Sequence, residues 1–341
     1  MTAAIPTKPV KSRSSQRRFD RFVRLVSEPG FDRLEAAHVV VIGLGGVGGF
    51  AVEGLARCGV GHLTLVDFDV VCATNVNRQI QALQGVVGQP KGQLLAERVA
   101  RISPTCRVDF VQKFYGKDTA DTILPLDAKP DFVVDAIDSL AAKLHLIDRC
   151  QRNGIALVSS MGAAGKLDPT AVRLDDLYQS HADPFARAVR KGLRKHYGWP
   201  ENSSRTKLSG VTVVYSEESR RMPLPPSWDA HGFECLCPSD QEGNWGKDNH
   251  FHACTSRNLV EGSAVFVTSV FGMVAVSAVV RGIVGDAVAP TRAETGQRLA
   301  DPEQSLAAEV ESARAGSPLR LAGSPAESPQ RRVLSGNPER T

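Results

Sequence analysis

The stretch HVVVIGLGGVGG, residues 38–49, decides the fold of this 341-residue chain. His38–Ile42 is a short apolar run with three consecutive valines, the pattern of a parallel strand buried on both faces. Gly43-Leu44-Gly45-Gly46-Val47-Gly48 follows without a break, and a helical pattern then runs to Cys58 before stopping at Gly59. Strand, glycine turn and helix N-terminus in that order bring free backbone N–H groups and the positive end of a helix dipole onto a phosphate. Glycine is needed there because a Cβ would hold the backbone away from the anion.

Leu63–Val66 reads as a second strand ending in Asp67-Phe68-Asp69, an acidic stretch about 20 positions past the glycines, where a ribose hydroxyl is held. A dinucleotide dehydrogenase would look the same to this point. The next residues separate the two readings. Asn75-Val76-Asn77-Arg78-Gln79 and Gly88-Gln89-Pro90-Lys91 place an arginine and a lysine just past the ribose acid. A nicotinamide dinucleotide already has its pyrophosphate served by the glycine loop. A triphosphate losing pyrophosphate needs the extra cations.

GxGGxG, DxD, NxNRQ and GxxK in this order resemble the ubiquitin-activating-enzyme-like adenylation superfamily. NVNRQIQAL (75–83), DAIDS (135–139), VSSMGAAGKLDPT (158–170), DPFARAVRKGLRK (183–195) and VVYSEE (213–218) narrow the likeness. Together they resemble its tRNA threonylcarbamoyladenosine dehydratase branch, over residues 17–282. The resemblance implies a Rossmann-like, doubly wound α/β fold with a mostly parallel sheet of the ubiquitin-activating-enzyme adenylation type. It implies ATP and Mg²⁺, a tRNA substrate, and a carboxylate activated as an acyl-adenylate. ATP then falls to Gly43, Gly45, Gly46, Gly48, Asp67, Asp69, Asn75, Arg78, Gln79, Lys91 and Asp138, with Arg78, Lys91 and Asp138 also catalytic. Asp138 matches the family's magnesium-binding aspartate. In this superfamily an arginine of the helix before the first strand reaches the neighbouring subunit's ATP site. Arg21 matches that position, with Arg24 the fallback, and the corollary is a homodimer.

The remaining segments follow in order. Arg18–Leu25 is a helix, and Lys91–Ile102 another, with Leu94, Leu95, Val99 and Ile102 near one stripe. Val108–Val111 is a strand, Asp118–Leu126 a short helix, and Asp131–Asp138 a strand running into an acidic loop. Asp67, Asp69, Asp135 and Asp138 all stand at carboxyl ends of strands, where ligands bind, and are expected to cluster. For Asp135 a loop-stabilising role weighs equally. Ala141–Arg152 is a crossover helix ended by Asn153-Gly154, Ile155–Val158 a strand, and Ser159–Gly165 a small-residue loop. That loop either admits a bulky substrate or is a plain tight turn.

Asp183-Pro184 is a helix start, an N-cap acid with proline at N1, and Gly198 and Pro200 are its stop. Within it, Arg187, Arg190, Lys191, Arg194 and Lys195 share one face, and Phe185, Val189 and Leu193 mark the buried side. Such a stripe is either a solvated face or a contact for phosphates. Five like charges repel unless offset, which favours tRNA. Val211–Tyr215 is a strand.

Residues 221–258 form an insertion with Cys235, Cys237, His250, His252 and Cys254. A CxC pair without a second pair leaves zinc binding, a thioester cysteine at Cys254 and an ordinary surface insertion all open, the last favoured.

The bounds from composition agree. Apolar residues are 42% and charged residues 23%, enough for a core. The net charge of +4 permits a nucleic-acid partner without requiring one. Seven scattered cysteines point to a reducing compartment, the cytoplasm, with a mitochondrial or mitochondrial outer-membrane-associated location the alternative. Residues 1–17 read as a flexible basic arm rather than a transit peptide, and 18–283 as a ThiF-like adenylation domain with its basic helix at 184–197. Residues 284–341, rich in proline and without aromatics, read as a disordered tail. Gly262–Val280 is uncharged and nearly long enough to span a bilayer, but its serines, threonine and glycines make it a buried helix, with no stable membrane insertion. Three rivals remain: adenylation of the C-terminus of a ubiquitin-like or sulfur-carrier protein, with a sulfur-relay partner; a nicotinamide oxidoreductase; and a catalytically silent RNA-binding protein that retains the fold. The basic helix argues against the first, Arg78 and Lys91 against the second, and the complete set of ATP-site residues against the third.

Overall fold

A helix, α1 (Asp20–Ala36), leads into β1 (His38–Ile42) and α2 (Gly48–Arg57), the strand, turn and helix expected from residues 38–58. Next come β2 (His62–Val66), α3 (Lys91–Ile102), β3 (Arg107–Val111), α4 (Ala120–Ile123), β4 (Phe132–Asp135), α5 (Leu140–Arg152) and β5 (Leu157–Ser160). β6 (Val172–Asp176), α6 (Pro184–Tyr197), β7 (Thr212–Ser216) and α7 (Val265–Val284) complete the order. The structure, a computed structural model, describes residues 17–201, 208–224 and 261–288. The chain divides into Met1–Ala289 and Pro290–Thr341, and all described residues lie in the first unit. The arm before Arg17, the Cys/His-containing part of the insertion and the tail beyond Val288 lie outside the described residues.

The strands form one seven-stranded sheet in the order β3-β2-β1-β4-β5-β7-β6, parallel except for β6 against β7. Both faces are covered, which is why β1 reads as an unbroken apolar run. Val39 and Val41 pack on one face with residues of α1, α2, α3 and α7. Val40 and Ile42 pack on the other with residues of α4, α5 and α6.

The elements depart from the sequence expectation in these ways. α1 runs on past Leu25 to Ala36, across a kink at Ser27 (φ 61°). β5 starts at Leu157, because Ile155 N–H is spent closing α5 onto Cys150 O (3.0 Å). α4 is a single turn instead of a helix over 118–126. β6 was not expected, since its alternating Val-Arg-Leu-Asp-Asp pattern is half exposed and, among the described residues, pairs only with β7.

By length and composition α7 is able to cross a bilayer, but it packs on the sheet through Val267, Phe271, Ala275 and Val279. It approaches α2 closely: a Cβ on Gly272 would lie 2.6 Å from Val47 O.

Candidate active site

β1 and β4 are neighbours whose following helices, α2 and α5, go to opposite faces, so a crevice opens at their carboxyl ends. The glycine turn makes one wall. Gly43 has φ +88°, and a Cβ on Gly48 would collide with Gly43 O, so neither position admits a side chain. The N–H groups of Gly45, Gly46 and Val47 have no acceptor among the described residues. Three donors at a helix N-terminus suit a phosphate.

Asp67, at the end of β2, is buried and braces this turn. Its Oδ2 accepts Leu44 N–H at 2.6 Å and its Oδ1 accepts Asp69 N–H at 2.8 Å. Burial pushes its pKa up, against the pull of Lys91. Lys91 opens α3 with only 5% of its surface exposed, and its Nζ lies 2.5 Å from Asp69 Oδ2. An antiparallel bridge between Val70 and Pro90 brings the two ends of this loop together.

The loop so pinched off carries the NxNRQ motif. Asn75 is buried and its Oδ1 accepts Cys72 N–H (3.0 Å), shaping a 3₁₀ turn over Ala73–Asn75. Arg78 is half-buried and donates to Thr74 O (2.8 Å) and Asn77 Oδ1 (3.0 Å). Buried Gln79 accepts from Gln81 Nε2 (3.2 Å), which also donates to Leu44 O (2.7 Å). Gln81 therefore ties this loop to the glycine turn. Two glutamines bracketing an isoleucine, Gln79-Ile80-Gln81, were its only sequence signal.

The four strand-end aspartates do not converge. Among the described residues no three His, Cys, Asp or Glu come together to hold a metal. Asp67 is spent on backbone N–H groups and Asp69 on Lys91. Asp135 is fully buried against Lys143 Nζ (2.7 Å), which settles it as a structural acid. Asp138 is exposed, with no hydrogen-bond or ion-pair partner among the described residues. Lys143 was missed by the sequence reading. Its signal was a lysine sharing the i, i+4, i+7 stripe of Ile147 and Cys150, both buried.

The basic helix α6 has the expected ends. Asp183 Oδ1 caps the N–H groups of Phe185 (2.8 Å) and Ala186 (3.0 Å), and Gly198 ends the helix with φ 70°. Its five cations divide. Arg190 turns inward, donating to Leu177 O (3.1 Å) and Ser180 O (3.0 Å), and Arg194 pairs with Glu201. Arg187, Lys191 and Lys195 are exposed and have no ion-pair partner among the described residues. On α1, Arg24 pairs with Asp20 (3.0 Å), while Arg21 is exposed and has no such partner.

Known proteins match this arrangement. Residues 19–312 match the ThiF family. The tRNA threonylcarbamoyladenosine dehydratase of Escherichia coli is 40% identical over 262 residues, 77% of this chain and 91% of that protein. The protein so described in Bacillus subtilis is 43% identical over 201 residues, 59% of this chain and 75% of its own length. The crystal structure of the Escherichia coli enzyme in complex with ATP superposes with a TM-score of 0.67 at 35% identity, covering 82% of this chain and 98% of that one.

Proposed function

The chain belongs to the ThiF family, and from that premise we propose that it uses ATP to cyclise N6-threonylcarbamoyladenosine in tRNA. The observation that carries this reading is the match to a dehydratase of that substrate over 91% of the relative's length. Support comes from Arg78, whose backbone O would lie 3.1 Å from a Cβ on Gly46, and from Lys91, paired with the Asp69 that follows the turn's brace, Asp67.

The chemistry divides into two steps. A threonine carboxylate oxygen attacks the α-phosphorus of ATP, the bond to the β-phosphate bridge breaks, and pyrophosphate leaves. A carbamoyl nitrogen then attacks the acyl carbon, the bond to AMP breaks, and a proton passes to solvent. The lost oxygen departs in AMP, so the substrate has shed the elements of water. Adenylation is required because hydroxide is a poor leaving group. Ring closure is intramolecular, so proximity supplies much of the second barrier.

In this reading the N–H groups of Gly45, Gly46 and Val47 hold phosphate, Gly43 and Gly48 shape their turn, and Asp67 fixes it. Asp69 lies beside the ribose, while Asn75 and Gln79 shape the platform that presents Arg78. Lys91 and Arg78 stabilise the departing pyrophosphate, joined by Arg21 from the second subunit of a homodimer. An unpartnered, exposed carboxylate fits a magnesium ion that keeps most of its waters and arrives with the triphosphate, so Asp138 would hold it. That ion would neutralise phosphate charge. Arg187, Lys191 and Lys195 are the tRNA contacts, and Arg190 and Arg194 shape their helix. The bacterial relatives support a cytoplasmic enzyme over a mitochondrial one.

The test is to incubate the protein with Mg-ATP and tRNA bearing the threonylcarbamoyl group, then weigh the nucleosides. Loss of one water from the modified adenosine, with AMP and pyrophosphate formed, is expected. Pyrophosphate release with the nucleoside mass unchanged would sink the proposal.

A further inference from the structure

Asp135, Lys143 and Ser159 form a polar knot with no exposed surface, beneath the crevice and outside every role assigned above. Lys143 Nζ lies 2.7 Å from Asp135 Oδ2 and 3.2 Å from Ser159 Oγ, and that hydroxyl donates to the same Asp135 oxygen at 2.6 Å. Asp135 Oδ1 accepts Ile137 N–H at 3.1 Å. Three elements, the end of β4, the first turn of α5 and strand β5, are thus joined through one ammonium group.

A buried ion pair adds little stability compared with apolar residues of the same volume, because desolvation offsets the attraction. Direction is what such a pair supplies, and here it directs a particular loop. Ala136 N–H donates to Ile42 O (2.9 Å), and a Cβ on Gly43 would lie 2.6 Å from Ala136 O and 3.1 Å from Ile137 N, so Ala136 and Ile137 lie against the glycine turn. Asp138 follows directly. On the other side, Lys143 Nζ stands 5.9 Å from the ring centroid of Phe185, in the first turn of the basic helix.

We propose that Lys143 is a positioning residue: it orients Asp135, which sets the Ala136–Asp138 loop against Gly43 and so places Asp138 toward the magnesium-bound triphosphate. This rests on the role given to Asp138 above.

The test uses the full chain as Lys143→Met, as Asp135→Asn with Lys143→Met, and as Ser159→Ala, each checked for folding by circular dichroism. The double variant removes both charges together, keeps an acceptor for Ile137 and leaves no buried charge unpaired, so it carries the test if Lys143→Met unfolds. Mg-ATP binding is measured by calorimetry, and magnesium dependence by turnover on the modified tRNA. The double variant should bind Mg-ATP ~10-fold more weakly and need more magnesium for half-maximal turnover, with tRNA affinity within about twofold of the parent. Ser159→Ala should shift Mg-ATP binding the same way by roughly threefold. A folded double variant that binds Mg-ATP like the parent would overturn the proposal and leave the knot a fold element. Should the parent bind Mg-ATP yet leave the RNA unchanged, the function proposed above fails, while the calorimetric comparison still decides the part played by Lys143.

Discussion

Asp67 and Leu44, 23 positions apart, are joined by a 2.6 Å hydrogen bond from the Leu44 N–H to Oδ2 of the carboxylate. The acid at the end of the second strand is therefore a brace for the glycine turn, whatever it also offers a nucleotide. Replacing Asp67 by alanine strands the N–H groups of Leu44 and Asp69. The variant should lose ~2–3 kcal/mol of stability in urea denaturation and most of its ATP affinity. Full stability in the alanine variant would show that the brace is idle.

Lys91→Ala removes the cation proposed to meet the departing pyrophosphate and leaves Asp69 without its partner. Adenylation, followed as pyrophosphate release, should slow by about 10²-fold or more. Affinity for tRNA, read by filter binding, should hardly change, because the basic helix lies on the other face of the sheet. A rate within twofold of the parent would remove Lys91 from the mechanism.

The cations of α6 should separate by role. Reversing Arg187, Lys191 and Lys195 to glutamate should weaken tRNA binding and flatten its log–log salt dependence by roughly 0.7–0.9 per lost phosphate contact. Arg190→Ala should instead destabilise the protein by about 1–3 kcal/mol, since Leu177 O and Ser180 O lose their donor. An unaltered salt slope in the triple variant would take RNA off this helix.

Far from the crevice, His38 stacks on His62 at 3.8 Å and its Nε2 meets Thr64 Oγ1 at 2.8 Å. Burial, and then the neighbouring His62, hold its pKa below the ordinary 6.5. The native state thus resists a proton that the unfolded chain accepts. The associated stability is fully present above that ordinary value and is lost as pH falls through the depressed one. Tm should drop as pH falls below the ordinary 6.5, and His38→Gln should flatten that drop. Parallel Tm curves for the two proteins would contradict this.

What the chain discloses in one dimension is set by how local each device is. The glycine turn, the Asp183-Pro184 cap and the Gly198 stop are each written within a few residues, and each stands where expected. β6 was illegible because its only partner among the described residues, β7, lies some 40 residues on. Lys143 passed unnoticed and Arg190 misled for a shared reason. A cation reads as surface until the acceptors that bury it, Asp135 for one and backbone carbonyls for the other, are brought up by other elements. The four strand-end aspartates likewise share an address, yet Asp67 and Asp69 fall to Lys91 and the glycine turn while Asp135 falls to Lys143.

The closeness of α7 to the glycine turn has a bearing on how the protein is made. Thr268, near the start of that helix, stands so close to Gly46 that a Cβ there would lie 3.2 Å from its Oγ1, and Gly272 presses on Val47. The phosphate loop is among the first parts of the sheet to leave a ribosome, and its last wall is among the final parts to do so. Domains fold as units during synthesis. A nascent chain stopped before residue 265 therefore carries every motif assigned to the nucleotide, yet its glycine turn lacks the packing against α7.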